Sequence, residues 1–138
     1  AMIVLDIDDF KKINDTKGHV YGDQVIADLA AILKNQFRAT DILGRIGGDE
    51  FMIFIKDIPN ELFVAAKVAK VRNLFMSQHE IGVSAGIAIF PKDGTNYLDL
   101  YKHADIAMYS VKRSGKNRYE FYSDIKEQES RGSVQDRV

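Results

Sequence analysis

Adjacent carboxylates at Asp49 and Glu50 follow two glycines in Gly47-Gly48-Asp49-Glu50-Phe51, between Asp41-Ile42-Leu43-Gly44-Arg45-Ile46 and Phe51-Met52-Ile53-Phe54-Ile55. Paired glycines between apolar runs predict a hairpin whose turn lifts both acids clear of a sheet. Glycine permits positive φ and close approach of a ligand to the backbone, and neighbouring carboxylates hold divalent cations that in turn hold phosphates. Taken alone, such a turn is most often a solvated hairpin. Upstream, however, Met2-Ile3-Val4-Leu5 runs into Asp6-Ile7-Asp8-Asp9-Phe10, a buried strand with acids at its carboxyl end, where open sheets bind ligands. If that strand pairs beside the hairpin, Asp6 and Asp49 reach one cation despite their separation in sequence. Oxygen donors facing water suit magnesium or manganese rather than zinc, so the expected chemistry acts on a nucleoside triphosphate.

The chain that must position these acids has 138 residues, 46% hydrophobic and 28% charged, enough for one compact domain and too short for two. A net charge of −1 argues against a general nucleic-acid binder, whose phosphate contacts need a basic excess, so no nucleic-acid partner is expected. The absence of cysteine excludes disulfides and thiolate metal sites and is compatible with the cytoplasm. No apolar run approaches a membrane span and the start lacks signal-peptide order, so no direct membrane contact is expected, although a parent protein can be anchored elsewhere.

Apolar periodicity alternates between strands and helices. After the first strand, a glycine-punctuated loop (Gly18, Gly22) leads into a helix over roughly 22–37, with Val25, Ile26, Leu29, Leu33 and Phe37 at helical spacing. After the hairpin comes a helix over roughly 60–76, with Asn60 as its N-cap. A strand within 81–90 stops at Pro91, a helix over about 97–113 ends at Gly115, and a short strand covers 118–122. This order predicts an α+β fold with a ferredoxin-like βαββαβ core, of the nucleotide-cyclase or polymerase-palm type, extended by one helix and one strand. Residues 1–122 form the expected domain; 123–138 lose apolar periodicity and read as a tail or linker to another domain.

Five blocks in order resemble the GGDEF family of diguanylate cyclases. They are Leu5 through Asp15; Gly18-His19 with Gly22-Asp23; Arg45 through Phe51; Val83 through Ala88; and Ala104-Asp105 through Tyr109, Lys112, Gly115 and Asn117. The resemblance implies condensation of two GTP molecules into cyclic di-GMP with release of pyrophosphate, each subunit of a homodimer presenting one GTP across a shared site.

Carried over by position, it implies Asp6, Asp49 and the backbone carbonyl of Ile7 as ligands of two Mg2+ (or Mn2+) ions, with Glu50 completing the metal shell or assisting deprotonation of the 3′-hydroxyl. Asn14 and Asp23 resemble the guanine readers, and Ile26 would pack on the base. Lys11, Lys112 and Lys116 match the triphosphate clamp, helped by backbone amides near Phe10; Gly47 and Gly48 line the substrate. As isolated lysines these would be ordinary solvated charges. Arg38 and Asp41 match the Arg-x-x-Asp site through which cyclic di-GMP inhibits the family, although such a string can be a plain ion pair. His19 reads as a loop-structuring residue, and His79 and His103 as surface residues.

Two departures stand out. Lys116 occupies a position that is usually arginine, which keeps the charge and loses the bidentate fork. The family also opens with a helix bearing Asp-x-Leu-Thr-x-Leu-x-Asn-Arg before the first strand, so the resemblance implies an N-terminally incomplete domain. The competing reading is a catalytically silent domain that binds GTP or cyclic di-GMP and regulates a fused sensor or phosphodiesterase.

Overall fold

The computed structural model describes residues 1–126. The elements run β1 (Met2–Ile7), α1 (Phe10–Lys17), α2 (His19–Gln36), β2 (Ile42–Arg45), β3 (Glu50–Phe54), α3 (Glu61–His79), β4 (Val83–Ala88), α4 (Tyr97–Arg113) and β5 (Tyr119–Phe121). The sheet order is β2-β3-β1-β4-β5. Every pairing is antiparallel except β4 with β5. The first four strands make the expected ferredoxin-like core, and α4 with β5 are the expected additions.

Strand alternation sends successive side chains to opposite faces of this sheet. Ile3, Leu5 and Ile7 join Ile53, Ala85 and Ile87 in a core closed by Val25, Leu29 and Leu33 of α2 and Val64, Val68 and Phe75 of α3. Met2, Val4 and Met52 pack on Leu100, Ala104 and Met108 of α4 instead. The second face changes character along its length: Asp6 stands directly across from Glu50 on β3 and Ser84 on β4. The polar end of an otherwise apolar face is thus where the acids collect.

Three expectations need correction. Residues 10–17 are a helix, not a loop; α1 has no fully buried residue, so its apolar period is too weak to see, and Gly18 at φ 88° separates it from α2. Residues 122–126 are helical and Ile125 is buried, so the expected tail begins with a segment folded onto the domain; residues 127–138 of that tail lie outside the described residues. His79 and His103 are partly buried and engaged: His79 Nε2 lies 2.8 Å from Asp28 Oδ2, and His103 stacks on Tyr122 at 4.1 Å. Asn60 caps α3 as expected, accepting from Phe63 N at 2.8 Å.

β4 and α4 approach so closely that a Cβ on Gly86 would lie 2.0 Å from Ala104 O and 2.3 Å from Met108 N, both backbone atoms that cannot turn aside. Gly86→Ala is expected to cost about 1–3 kcal/mol in urea unfolding. Gly48→Ala, with nothing within 4 Å, should stay within about 0.5 kcal/mol of wild type. Equal stability of the two variants would contradict this packing.

Candidate active site

Asp6 is buried at the end of the central strand, and its Oδ2 accepts from Lys112 Nζ at 2.5 Å. Its Oδ1 is buried with no hydrogen-bond partner. The Asp49 carboxylate lies close enough to Asp6 to perturb its protonation, and Ile7 N donates to Asp49 O at 3.2 Å, tying the hairpin loop to β1. Burial, then the neighbouring Asp49 carboxylate, push the Asp6 carboxyl well above its usual range, and Lys112 opposes them only in part. Two converging acids, one carrying an orphaned oxygen, are short of positive charge. Such a donor set fits a hard divalent cation whose remaining positions are filled by water and phosphate.

Glu50 faces the same side as Asp6, but its Oε1 accepts from Tyr101 OH at 2.9 Å. Among the described residues no group of three acidic, histidine or cysteine side chains could hold a metal. The structure therefore brings together Asp6 and Asp49 and leaves Glu50 on Tyr101. Burial, then the Glu50 contact, raise the Tyr101 phenol, so it remains a donor. The loop before Glu50 is pinned by Arg45, whose Nε donates to Gly47 O and Gly48 O, both at 3.1 Å. Neither glycine occupies the left-handed φ expected of the turn; both are exposed, and only their openness to an approaching ligand remains of that expectation.

The lysines flank the acids. Lys112 holds Asp6 from the last turn of α4, and Lys116 Nζ donates to Asp9 Oδ1 at 2.6 Å, which lowers the Asp9 carboxyl. Lys11 stands exposed in the first turn of α1, beside the partly buried Phe10. Asn14 on α1 has a buried Oδ1 without a partner, pressed so tightly on α2 that a Cβ at Gly22 would lie 1.8 Å from it. The next residue, Asp23, is exposed, and Ile26 is buried one helical turn on. An unpartnered acceptor and a free-standing carboxylate on adjoining helices can together meet a base edge.

On the far side of the domain, Arg38 Nη2 and Asp41 Oδ1 form an ion pair at 3.1 Å. Asp41, 2% exposed at its side chain, also accepts from Arg38 N at 2.9 Å and Lys56 N at 3.4 Å. The structural ion pair thus exists, and half of the Arg38 side chain remains exposed.

The profile of the family described as "Diguanylate cyclase, GGDEF domain" matches residues 1–118. The chain belongs to the GGDEF family. It is 42% identical over 131 residues to the signaling protein YkoW of Bacillus subtilis, a match covering 89% of this chain and 16% of YkoW. It is 37% identical over 128 residues to MucR of Pseudomonas aeruginosa, described as a bifunctional diguanylate cyclase and cyclic di-GMP phosphodiesterase, covering 88% of this chain and 19% of MucR. The chain therefore spans less than a fifth of either relative. Among solved structures, the GGDEF domain of DgcB from Caulobacter crescentus in complex with c-di-GMP matches with a TM-score of 0.79 and 32% identity, over 88% of this chain and 77% of that one.

Within this GGDEF domain, sequence reasoning missed three residues that shape the site. No local pattern in the sequence marks Tyr101 of α4 as a partner of Glu50. Arg45 stood inside the signature without a role of its own. Asp8 is buried, with Oδ1 accepting from Ser84 Oγ at 2.5 Å and Oδ2 from Asn117 N at 2.9 Å, contacts across long sequence distances that spacing cannot reveal.

Burial raises the Asp41 carboxyl, but the hydrogen bonds from the Arg38 guanidinium and the Arg38 and Lys56 amides outweigh it and hold the group below its usual range. Its stabilising contribution is therefore present above the unfolded pKa of about 4 and lost as pH falls through the depressed folded value. Asp41→Ala is expected to cost about 1–3 kcal/mol at neutral pH because it strands those donors. The gap from wild type should narrow in unfolding curves taken at increasingly acid pH; a gap independent of pH would contradict the charged pairing.

Proposed function

We propose that this GGDEF domain is a diguanylate cyclase that condenses two GTP into cyclic di-GMP and two pyrophosphates, with each protomer of a homodimer presenting one GTP. The observation that carries the reading is the convergence of Asp6 and Asp49, with Asp6 Oδ1 orphaned and Oδ2 held by Lys112. Asp6, Asp49 and the Ile7 carbonyl would hold two Mg2+ or Mn2+ ions. Cations held there would lower the pKa of the attacking 3′-hydroxyl and neutralise charge on the α-phosphate and the departing pyrophosphate.

The chain's own residues supply the rest. Asn14 and Asp23 read guanine, because an adenine would oppose donor to donor and acceptor to acceptor, and Ile26 packs against the base. Lys112 and Lys116 exchange their carboxylate partners for the triphosphate, joined by Lys11 and the amides near Phe10, while Gly47 and Gly48 leave room for the nucleotide. Glu50 reaches the cation or the 3′-hydroxyl through the oxygen that Tyr101 does not hold. In each of two steps a 3′-oxygen forms a bond to the other nucleotide's α-phosphorus and the α–β bridging bond breaks, releasing pyrophosphate. Arg38 and Asp41 form the product-inhibition site, the exposed guanidinium gripping phosphate or a guanine edge of cyclic di-GMP.

The parent protein is proposed to carry a sensor or phosphodiesterase domain beside this one, as the description of MucR suggests. No helix among the described residues is long and apolar enough to cross a membrane. A GTP substrate would suit a cytoplasmic domain. The silent-module alternative draws no support from the acids, since both Asp6 and Asp49 are present and converge.

Incubation of the full-length protein with GTP and Mg2+ tests the reading through the appearance of cyclic di-GMP. Asp49→Ala should lower turnover by roughly 100-fold or more with an unfolding midpoint no lower than wild type, because it removes a charge that repels Asp6 rather than an apolar contact. Turnover preserved in Asp49→Ala and in Asp6→Ala would contradict the assignment. Arg38→Ala should leave initial rates near wild type while added cyclic di-GMP no longer slows them; inhibition as strong as in wild type would remove Arg38 from the regulatory site.

A further inference from the structure

We infer that Asp8 is a positioning residue that sets the place of Lys116 over the triphosphate, an inference that rests on the GTP-binding reading above. Lys116 lies in the turn between α4 and β5, where Gly115, Lys116 and Asn117 take φ values of 119°, 63° and 49°. Two successive non-glycine residues in the left-handed region are costly and persist only when surrounding contacts hold them. Nothing in the turn itself does so: Lys116 N returns to Val111 O at 3.0 Å, which closes the helix end without fixing Asn117 beyond it.

The holding contacts come from elsewhere. The buried Asp8 carboxylate accepts from the Asn117 amide through Oδ2 and from Ser84 Oγ through Oδ1. Asp8 N donates to Gly82 O at 2.9 Å, so the residue is fixed at backbone and side chain alike. From the opposite side, Arg72 Nη1 of α3 donates to Asn117 O at 3.1 Å. Gly82 is the spacer that lets these parts meet, since a Cβ there would lie 2.6 Å from Asp8 Oδ2 and 2.7 Å from Asn117 Cβ.

Asp8 thereby links the corner after β1, which carries Asp6 and Ile7, to the turn that carries Lys116. Each of its oxygens already accepts a hydrogen bond, in contrast to Asp6, whose Oδ1 has no partner. Asp9 holds the Lys116 ammonium in the empty site, but a triphosphate would draw it off that partner, and the backbone anchor through Asn117 would then be what keeps the lysine aimed. That matters most where lysine lacks the preorganised fork of arginine.

The test is a double-mutant cycle on the full-length protein, read by equilibrium binding of a non-reacting α,β-methylene GTP analogue with Mg2+. Asp8→Ala and Lys116→Ala are each expected to weaken binding by roughly 10-fold, and their combination by little more than either alone, the mark of two residues acting as one unit. Asp8→Asn can keep both contacts by turning its amide and reversing the Ser84 hydroxyl, so it should lose only about 3-fold and serves as the rescue. If Asp8→Ala does not fold, the same cycle is run with Asp8→Ser, whose single short hydroxyl cannot meet both donors. Losses that multiply, or an Asp8 variant that binds like wild type, would overturn the inference. So would an Asp8 variant whose Mn2+ binding without nucleotide changes, since that would place Asp8 in the cation site itself. Failure of the wild-type protein to bind the analogue would instead count against the GTP reading.

Discussion

A carboxylate with nowhere to discharge its burial is the constraint on which the site depends. Asp6 continues the face that Met2 and Val4 bury against α4, and ladders to β3 and β4 on either side leave β1 no freedom to turn it outward. One oxygen leans on Lys112 and the other has no partner. Asp49 is carried to the same point by a loop whose carbonyl is held by Ile7 N and whose glycine carbonyls are held by Arg45. Burial of one acid and repulsion from the second oppose the stability of the empty site. A divalent cation relieves both at once.

The lysines answer the same imbalance before any ligand arrives. Lys112 on Asp6 and Lys116 on Asp9 neutralise acids on which a cation and a triphosphate would later act. On the proposed reading, binding would be an exchange of partners, lysine to phosphate and carboxylate to metal, rather than an addition of charge to an empty cleft. The Glu50 contact with Tyr101 belongs to the same pattern of pairing, because it keeps a third carboxylate from crowding the first two.

Much of this was legible in the chain because it rests on local pattern. Short continuous apolar runs marked β1, β3 and β4, the helical spacing of Val25, Leu29 and Leu33 marked α2, and acids at strand ends marked the pair Asp6 and Asp49. What escaped was whatever long-range packing decides. α1 buries no residue completely, so its helix depends on Phe10 and Ile13 resting on a core that the sequence cannot display. Tyr101 and Asp8 find partners 51 and 109 positions away, His79 finds Asp28 51 positions away, and none of these separations has a period. The two hairpin glycines were read through their freedom at positive φ, whereas the positions that use it are Gly18, Gly94 and Gly115.

Anomalous diffraction from crystals of the full-length protein grown with Mn2+ and a non-reacting GTP analogue tests the central claim most directly. The expected result is a manganese peak bonded to oxygens of both Asp6 and Asp49, with Lys112 moved from Asp6 to the triphosphate. A bound nucleotide whose manganese lies away from this pair, with Lys112 still on Asp6, would contradict it.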